Sequence, residues 1–222
     1  TGSTTARTLA NRFADVINVL DYGASETETA SNNTTYIQNA INAANTAGGG
    51  IVFIPEGTYT INGDIEVKAN VMFQGEGVGS IITGDSSASP IEFKVVGDNS
   101  VVKDLKLLGT KGTDTDLGLK RLWVIDSAET AVAAAGPTNV LIDNVYVENT
   151  VFNGIAVYGS TDVTVNNCTV KGCLSHGIVE ANSVNTFITN NRVFESTTGT
   201  LGGGNYALDI SGNCDNTFVQ NF

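Results

Sequence analysis

The sequence predicts an all-β fold, a right-handed, single-stranded parallel β-helix with one capping α-helix near its N-terminal end. Three observations predict this fold class. One residue pattern recurs every 23 residues, a second pattern recurs at the same spacing in the other half of each repeat, and the strand-like segments are short, β-branched and separated by Asn, Gly and Asp. Repeats of roughly 20–50 residues indicate a solenoid, in which parallel strands stack about 4.8 Å apart along one axis. The expected hand of such a coil is right-handed.

The first pattern is a column of asparagines. Asn144, Asn167 and Asn190 stand 23 residues apart, and each has an apolar residue two positions before it and another three positions after it. An earlier copy surrounds Asp104, and a later copy ends at Asn221, 31 residues after Asn190, so one turn holds an insertion. An Asn amide at a tight bend can bond its own backbone and its stacked copies. We therefore predict that the column is structural and that Asn167→Leu lowers thermal stability by leaving polar neighbours unpaired.

The second pattern fills the other half of each turn. It comprises residues 154–157 and 177–180, and then 207–210 after a glycine-rich insertion. Alternate residues of a strand point to opposite faces. Strict alternation therefore places Asp209 on the outer face and Glu180, one position further along its own segment, on the inner face.

The chain is predicted to form one elongated domain. Residues 1–20 are expected to be a neck or linker followed by a first strand at 16–20, and residues 21–222 to be the β-helix. The chain opens at Thr1 without a signal segment and stops at Phe222 within a turn, so we expect a piece of a longer protein.

The cap is predicted to be an amphipathic helix at about 33–46. Asn32, Asn33 or Thr34 is the expected N-cap, and the glycines at 48–50 end the helix. The apolar positions that predict this helix are Tyr36, Ile37, Ala40, Ile41 and Ala44. Further strands are expected at 51–54, 59–61, 65–73, 81–83, 91–96 and 101–108.

Composition excludes several classes of protein. The 222 residues are 41% hydrophobic and 15% charged, which is typical of a globular domain. A net charge of −12 disfavours nucleic acid as a partner, and no apolar run reaches the roughly 20 residues of a membrane helix. Cys168, Cys173 and Cys214 do not have the spacing of a disulfide framework or a zinc site, and His176 is the single histidine. We predict no cofactor and no metal centre built on several histidines, whereas oxygen-ligand metals stay open.

Three segments carry a resemblance to a known family. Residues 12–24, the helix around 36–41 and residues 48–61 resemble the opening segment of pectate-lyase-like β-helix proteins, with bacteriophage tailspike and tail fibre proteins as the closest subset. Residues 1–12 resemble the neck that joins a virion anchor to a tailspike β-helix. Members often carry an acidic pair just before the helix, where this chain has two asparagines.

The resemblance implies a function and partners. It implies a host surface polysaccharide as ligand, depolymerisation of that glycan by hydrolysis or β-elimination, a homotrimer, and contacts with other virion tail proteins through the N-terminus. It also implies a location in the virion, acting extracellularly at the host surface. Two alternatives stay open, a secreted polysaccharide lyase or polygalacturonase-like hydrolase, and a non-catalytic virion spike or glycan-binding adhesin.

Two groups of residues are candidates for catalysis. Asp209 and Glu180 lie on adjacent turns and would form the carboxyl pair of a glycoside hydrolase, but only if the strand has ended or bulged at Glu180. Asn153, His176 and Tyr206 each precede the second pattern on consecutive turns. They suit β-elimination, in which Asn would neutralise a uronate carboxylate, His would act as base and Tyr as acid. The alternative for the acid pair is that Asp209 is a solvated surface acid and that Glu180 hydrogen-bonds a turn. The alternative for the other three residues is a column of polar side chains at a bend, without a role in catalysis.

Other residues are candidates for binding substrate. Arg192 is a candidate clamp for a carboxylate. Trp123, Tyr158 and Tyr206 are candidate platforms for sugar rings, although the apolar neighbours of Trp123 favour burial. Asp126, Glu129 and Asp143 are weaker acid candidates without an aligned partner.

Overall fold

The computed structural model describes residues 16–87, 90–110, 119–125, 135–194 and 206–222. The predicted neck up to residue 15, with Asp126 and Glu129, lies outside these ranges. The one α-helix of the described ranges, α1, is Ala30–Thr46. The strands are β1 Val16–Asn18, β2 Gly50–Phe53, β3 Gly57–Ile61, β4 Ile65–Val67, β5 Val71–Gln74, β6 Ser80–Gly84, β7 Ile91–Val95, β8 Val101–Leu108, β9 Leu119–Val124, β10 Thr138–Glu148, β11 Ile155–Tyr158, β12 Thr161–Asn166, β13 Thr169–Lys171, β14 Ile178–Ala181, β15 Val184–Thr189, β16 Arg192–Phe194, β17 Leu208–Ser211 and β18 Phe218–Gln220.

The strands form two parallel sheets that the chain visits in turn. The 12-stranded sheet has the order β1-β2-β5-β8-β10-β12-β15-β18, with β3, β6, β13 and β16 beside this path, and the six-stranded sheet has the order β4-β7-β9-β11-β14-β17. Val163 of β12 pairs with Val140 and Thr186, so one turn advances 23 residues. Phe187 pairs with Phe218 across the turn that holds the insertion, and the register is kept. The predicted parallel β-helix is confirmed.

The core lies between the two sheets and consists of columns of apolar side chains. Along the six-stranded sheet, Val95, Val124 and Val157 stack in register and are fully buried. Cys168 is buried in the same core, as its alignment with Val145 predicts, and burial raises the pKa of its thiol to about 12. This cysteine therefore acts as a small hydrophobic residue rather than as a reactive thiol.

The asparagine column is present, and its members are exposed. Asn144, Asn167, Asn190 and Asn221 all have φ between 50° and 56°. Only Gly and Asn or Asp adopt this left-handed conformation readily, which explains their choice at one-residue bends. The amides also stack, since Asn144 donates to Asp104 at 2.8 Å and Asn221 donates to Asn190 at 2.9 Å.

A second ladder lies at the other bend of the large sheet. Asn139 donates to Asn99 at 2.9 Å, and Asn185 donates to Asp162 at 2.8 Å. Asn216 donates to Asn185 at 3.0 Å, and all five residues have positive φ. This ladder was not predicted from the sequence.

Helix α1 begins earlier than predicted. Thr29 is the N-cap, and its hydroxyl accepts the Asn32 N–H, so the predicted caps Asn32, Asn33 and Thr34 are wrong. Asn33 is instead buried, and its side chain holds the preceding loop through both backbone groups of Ser25.

The apolar face of α1 packs on the first turns of the β-helix. Ile37, Ala40, Ile41 and Ala44 are fully buried against the core. The first strand is shorter than predicted, because residues Val19–Tyr22 form a 3₁₀-helix. Within the described ranges, no helix is long and apolar enough to cross a membrane.

Candidate functional site

The outer face of the six-stranded sheet gathers most of the predicted site residues. Ala156 pairs with Trp123 on one side and with Val179 on the other, and Val179 pairs with Asp209. These side chains alternate with the buried core columns, so they point outward. Asp209 therefore lies on the predicted face, and its side chain is 31% exposed.

Asn153, His176 and Tyr206 stack in one column beside that face. The Asn153 side-chain oxygen accepts the His176 N–H at 3.3 Å. The His176 and Tyr206 rings are stacked, with centroids 5.6 Å apart and an angle of 15° between the planes. The stacking predicted from sequence is present because Gly154 and Gly177 continue the parallel ladder, bonding the carbonyls of His176 and Tyr206.

Each ring nitrogen of His176 lies near a polar group. Its Nδ1 lies 3.1 Å from the Ser175 hydroxyl, and its Nε2 lies 3.9 Å from a carboxylate oxygen of Asp209. The ring is only partly exposed, with a side-chain exposure of 21%. A partly exposed histidine close to a carboxylate can exchange a proton with a bound molecule.

Tyr158 joins the same group through Asn153. Burial raises the pKa of Tyr158, while Arg121 and a hydrogen bond with the Asn153 side chain oppose the shift, and Asp209 adds to it. Because Asn153 bonds the Tyr158 side chain and the His176 backbone and is itself buried, it positions these two residues rather than presenting its amide to a ligand. Asn153, Tyr158, His176, Tyr206 and Asp209 are named here the outer cluster.

Arg121 supports the outer cluster and was missed by the sequence analysis. Its guanidinium lies 3.7 Å from the centroid of the Trp123 ring, and it donates two hydrogen bonds to Glu92, at 3.0 and 3.2 Å. Burial raises the pKa of Glu92 to about 7, against the pull of Arg121. Glu92 and Arg121 are register partners 29 residues apart, outside the 23-residue repeat, so periodicity gave no signal for them.

The Trp123 ring packs against the Arg121 guanidinium. It is 7% exposed, so the expectation that it is buried is confirmed. Its ring meets Tyr158 edge to face at 5.7 Å. Among the described residues, its indole Nε1–H has no hydrogen-bond partner.

Glu180 does not join Asp209. It pairs in unbroken register with Val157 and Ile210, so the strand neither ends nor bulges there. The side chain is buried, and both of its carboxylate oxygens accept hydrogen bonds from Thr217, at 2.9 and 2.8 Å. Burial raises the pKa of Glu180, and the Thr217 hydrogen bonds oppose that shift. The pair proposed for glycoside hydrolysis is therefore split between opposite faces of the sheet.

Arg192 lies away from the outer cluster. It is an exposed residue of β16, which belongs to the 12-stranded sheet, whereas the cluster lies on and beside the six-stranded sheet. Within the described ranges, no group of three or more His, Cys, Asp and Glu side chains is arranged to hold a metal ion.

Comparisons with known proteins agree with this architecture. A family model described as rhamnogalacturonase A/epimerase, pectate lyase-like, matches residues 16–213. Pectinesterase 2 of Citrus sinensis is 40% identical over 92 residues, which cover 37% of this chain and 18% of that protein. This chain therefore spans a minor part of that relative.

Solved structures with a similar fold include a bacterial and a viral protein. The A-module of the mannuronan C-5 epimerase AlgE6 of Azotobacter vinelandii matches 91% of this chain and 54% of its own chain, with a TM-score of 0.71 and 20% identity. ORF18 of Geobacillus virus E2 matches 97% of this chain and 54% of its own chain, with a TM-score of 0.62 and 14% identity. At these identities the likeness is one of fold.

Proposed function

The chain belongs to the rhamnogalacturonase A/epimerase, pectate lyase-like family, and from that premise we propose that it binds a uronate-containing host surface polysaccharide and cleaves it by β-elimination, as part of a phage tailspike. The observation that carries the proposal is the outer cluster. A partly exposed histidine stacks on an exposed tyrosine, with a carboxylate oxygen 3.9 Å from its Nε2. This arrangement lies on the outside of a β-helix, where a long chain of sugars has room to bind.

His176 and Tyr206 supply the two proton transfers of the proposed reaction. Neutral His176 removes the proton at C5 of a uronate residue, the bond between C4 and the glycosidic oxygen breaks, and Tyr206 protonates that leaving oxygen. A C4–C5 double bond forms, and the protons are exchanged with water afterwards. Asp209, 3.9 Å from His176, stabilises the imidazolium that forms in the first step.

A cation near the uronate carboxylate makes its C5 proton more acidic. Arg121 is already paired with Glu92. Lys120 stands two residues before the inward Leu122, as Asn153 and His176 stand two residues before Ile155 and Ile178. The Lys120 ammonium lies 5.2 Å from the centroid of the Phe152 ring. We assign carboxylate binding to Lys120, in place of Asn153 and Arg192.

The polymer class is supported by similar proteins. Pectinesterase 2 and mannuronan C-5 epimerase AlgE6 carry names that refer to pectin and mannuronan, which are both uronate polymers. The tailspike role is supported by the likeness to ORF18 of Geobacillus virus E2, which extends over 97% of this chain. The net charge of −12 acts against anionic glycans, so salt is expected to strengthen binding by screening repulsion.

The test is an assay of the chain with uronate-containing capsule and with alginate and pectin. The expected products absorb in the ultraviolet and carry new reducing ends. His176→Ala and Tyr206→Phe should abolish turnover and retain glycan binding, and Arg192→Ala, an exposed residue of the other sheet, should retain both. Reducing ends without ultraviolet absorbance would show that the glycan is cleaved by hydrolysis and not by elimination. Binding without any product would show that the chain is a non-catalytic adhesin.

A secreted polysaccharide lyase is the second candidate, favoured by the name of alginate lyase 7 of Azotobacter vinelandii, which is 39% identical to this chain over 72 residues. The two candidates share the chemistry and differ in location. An antibody against this chain that labels the tails of purified phage particles supports the tailspike, whereas detection only in cell-free medium of uninfected cultures supports the secreted enzyme.

A further inference from the structure

Glu180 is a fully buried carboxyl group inside the β-helix, and no step of the proposed reaction uses it. It lies on β14 and points away from the outer cluster, with Val157 and Ile210 as its register partners. Both partners are apolar. An ionised carboxylate in such surroundings costs free energy unless a cation or several hydrogen-bond donors compensate it.

A single hydroxyl group lies between the two oxygens of this carboxyl group. Thr217 Oγ1 is 2.9 Å from Glu180 Oε1 and 2.8 Å from Oε2. A threonine hydroxyl has one proton to donate, so it bonds only one oxygen of an ionised carboxylate at a time. A protonated carboxyl group donates through one oxygen and accepts through the other, so that both short contacts become hydrogen bonds. The geometry therefore fits the protonated form of Glu180.

The other neighbours of Glu180 bring no positive charge. Burial raises its pKa, and the contacts with Thr217, Thr186 and Cys214 oppose that rise. Thr217 supplies the well-aligned bonds, whereas the buried Thr186 hydroxyl makes none among the described residues. Cys214 is the one titratable group among these neighbours, and its Sγ lies 3.9 Å from the Glu180 carbonyl oxygen. Surroundings without a cation favour a neutral carboxyl group.

Thr217 connects Glu180 to the next turn, which carries two members of the outer cluster. Tyr206 stands two residues before β17, and Asp209 lies within it. Thr217 is the residue directly before β18, on the short segment that leads there from β17. Glu180 also lies beside β17 itself, because its register partner Ile210 is the neighbour of Asp209. A displacement of this segment is therefore transmitted to the outer cluster.

We propose that Glu180 is a positioning residue for the outer cluster and that its protonated carboxyl group holds the turn of β17 in place. Through Thr217 it keeps Tyr206 and Asp209 against His176. This role rests on the proposed function, because the outer cluster is taken as the catalytic site. Ionisation of Glu180 removes one of the two hydrogen bonds and places a charge in the apolar core, so the turn is held less tightly.

The buried position of Glu180 sets the direction of the pH dependence. Its pKa is raised above the ordinary value of 4.5, so the closed turn binds the proton more tightly than an opened turn does. The hold is complete below that ordinary value and is lost as pH rises through the raised pKa. Turnover should therefore fall on the alkaline side, together with the hydrogen-exchange protection of β17 and β18.

Glu180→Gln tests this hold with a side chain of nearly the same shape. Its amide donates to the Thr217 hydroxyl and accepts from it at every pH, as the protonated acid does. The alkaline fall of kcat should therefore move to higher pH. The protection of β17 and β18, measured relative to β10 and β12, should no longer depend on pH. The same pH dependence in the parent and in this variant overturns the proposal.

Thr217→Val removes the hydroxyl at nearly constant volume, and Thr217→Ser is the matched control that keeps it. Thr217→Val should lower kcat about tenfold with little change in KM, because small displacements of reacting groups are costly. Thr217→Ser should keep the parent value. His176 is the single histidine, so its ring protons can be observed selectively by NMR. Since the Tyr206 ring stacks on it, Thr217→Val should shift these signals and Thr217→Ser should not.

Hydrogen exchange and NMR separate this role from the proposed function, because neither measurement needs turnover. Unchanged His176 signals and unchanged protection of β17 in Thr217→Val overturn the role of Glu180, even when the parent chain is an active lyase. A parent chain that is inactive on every uronate glycan overturns the proposed function instead, and shifted His176 signals then still support the hold on the turn. Protection of β10 and β12 checks that each variant is folded.

Discussion

At the scale of single residues, backbone conformation determines which residue type occupies a bend, and burial shifts the pKa of ionisable side chains. Asn167 sits at a one-residue bend with φ of 52°, and its side-chain amide donates to the stacked Asn144 at 3.4 Å. The left-handed conformation costs an ordinary residue about 1–2 kcal/mol. The bends therefore select asparagine chiefly for its backbone, and the hydrogen-bonded ladder adds to that choice.

Substitution at Asn167 separates these two contributions. Asn167→Leu is expected to lower the free energy of unfolding by about 1–3 kcal/mol, through backbone strain and the lost amide contacts. Asn167→Gly removes the same amide but adopts positive φ freely, so it should cost about 1 kcal/mol less than leucine. Urea denaturation measures both changes. Equal losses for leucine and glycine would show that the ladder, and not the bend, selects asparagine.

Glu92 should make stability depend on pH. Its folded pKa of about 7 lies above the ordinary value of 4.5, because burial outweighs the attraction of Arg121 and Lys120, and Asp64 adds to the shift. The folded state therefore binds the proton more tightly. This contribution to stability is fully present below pH 4.5 and is lost as pH rises towards 7, up to about 3 kcal/mol in total.

The matching variant is Glu92→Gln, which cannot ionise. Near pH 4.5 it should be about as stable as the parent, because Glu92 with its raised pKa is protonated there and glutamine keeps a similar neutral side chain. As pH rises from 4.5 to 7, the parent should lose stability relative to the variant. Thermal melts across this range measure the difference, and parallel curves for the two proteins would contradict the raised pKa.

At the scale of elements, local capping fixes where helix α1 begins. The sequence offers Asn32, Asn33 and Thr34 as N-caps, but the N-cap is Thr29. Asn33 is buried instead, where its side chain bonds both backbone groups of Ser25. Propensity ranks all of these residues as good caps. The tertiary hydrogen bonds of Asn33 decide among them.

Removal of the cap measures its contribution. Thr29→Ala should lower the free energy of unfolding by about 1 kcal/mol, because the Asn32 N–H loses its acceptor. Thr27→Ala is the matched control, since the Thr27 hydroxyl contacts only the exposed Ser25 hydroxyl at 3.3 Å. An equal loss in both variants would mean that the loop, rather than the cap, responds to the change.

The same elements mark how far sequence reasoning reaches. The 23-residue repeat predicts the strands, the first asparagine ladder and the outward position of Asp209, because all three follow from strict periodicity. The strand alternation also predicts the inward position of Glu180, which removes it from the outer cluster. The pairing of Arg121 with Glu92 could not be predicted, because the early turns have irregular lengths and no repeat indicates which residues are register partners.

At the scale of the whole molecule, stability is local along the axis. Each turn contacts the turns above and below it, so the β-helix behaves as a row of coupled layers rather than as one indivisible core. The outer cluster draws on successive turns from β11 to β17. Its geometry therefore depends on the packing of these layers and little on the distant cap α1.

A cavity in one layer should reveal this locality. Val165 is fully buried in β12, and Val165→Ala should lower stability by about 2 kcal/mol through lost apolar contacts and the cavity that remains. Hydrogen exchange should speed up most for β10, β12 and β15, which are direct neighbours in the sheet. Amides of α1 and β2 serve as the internal control and should keep their protection. A uniform increase along the whole chain would mean that the β-helix unfolds as a single cooperative unit.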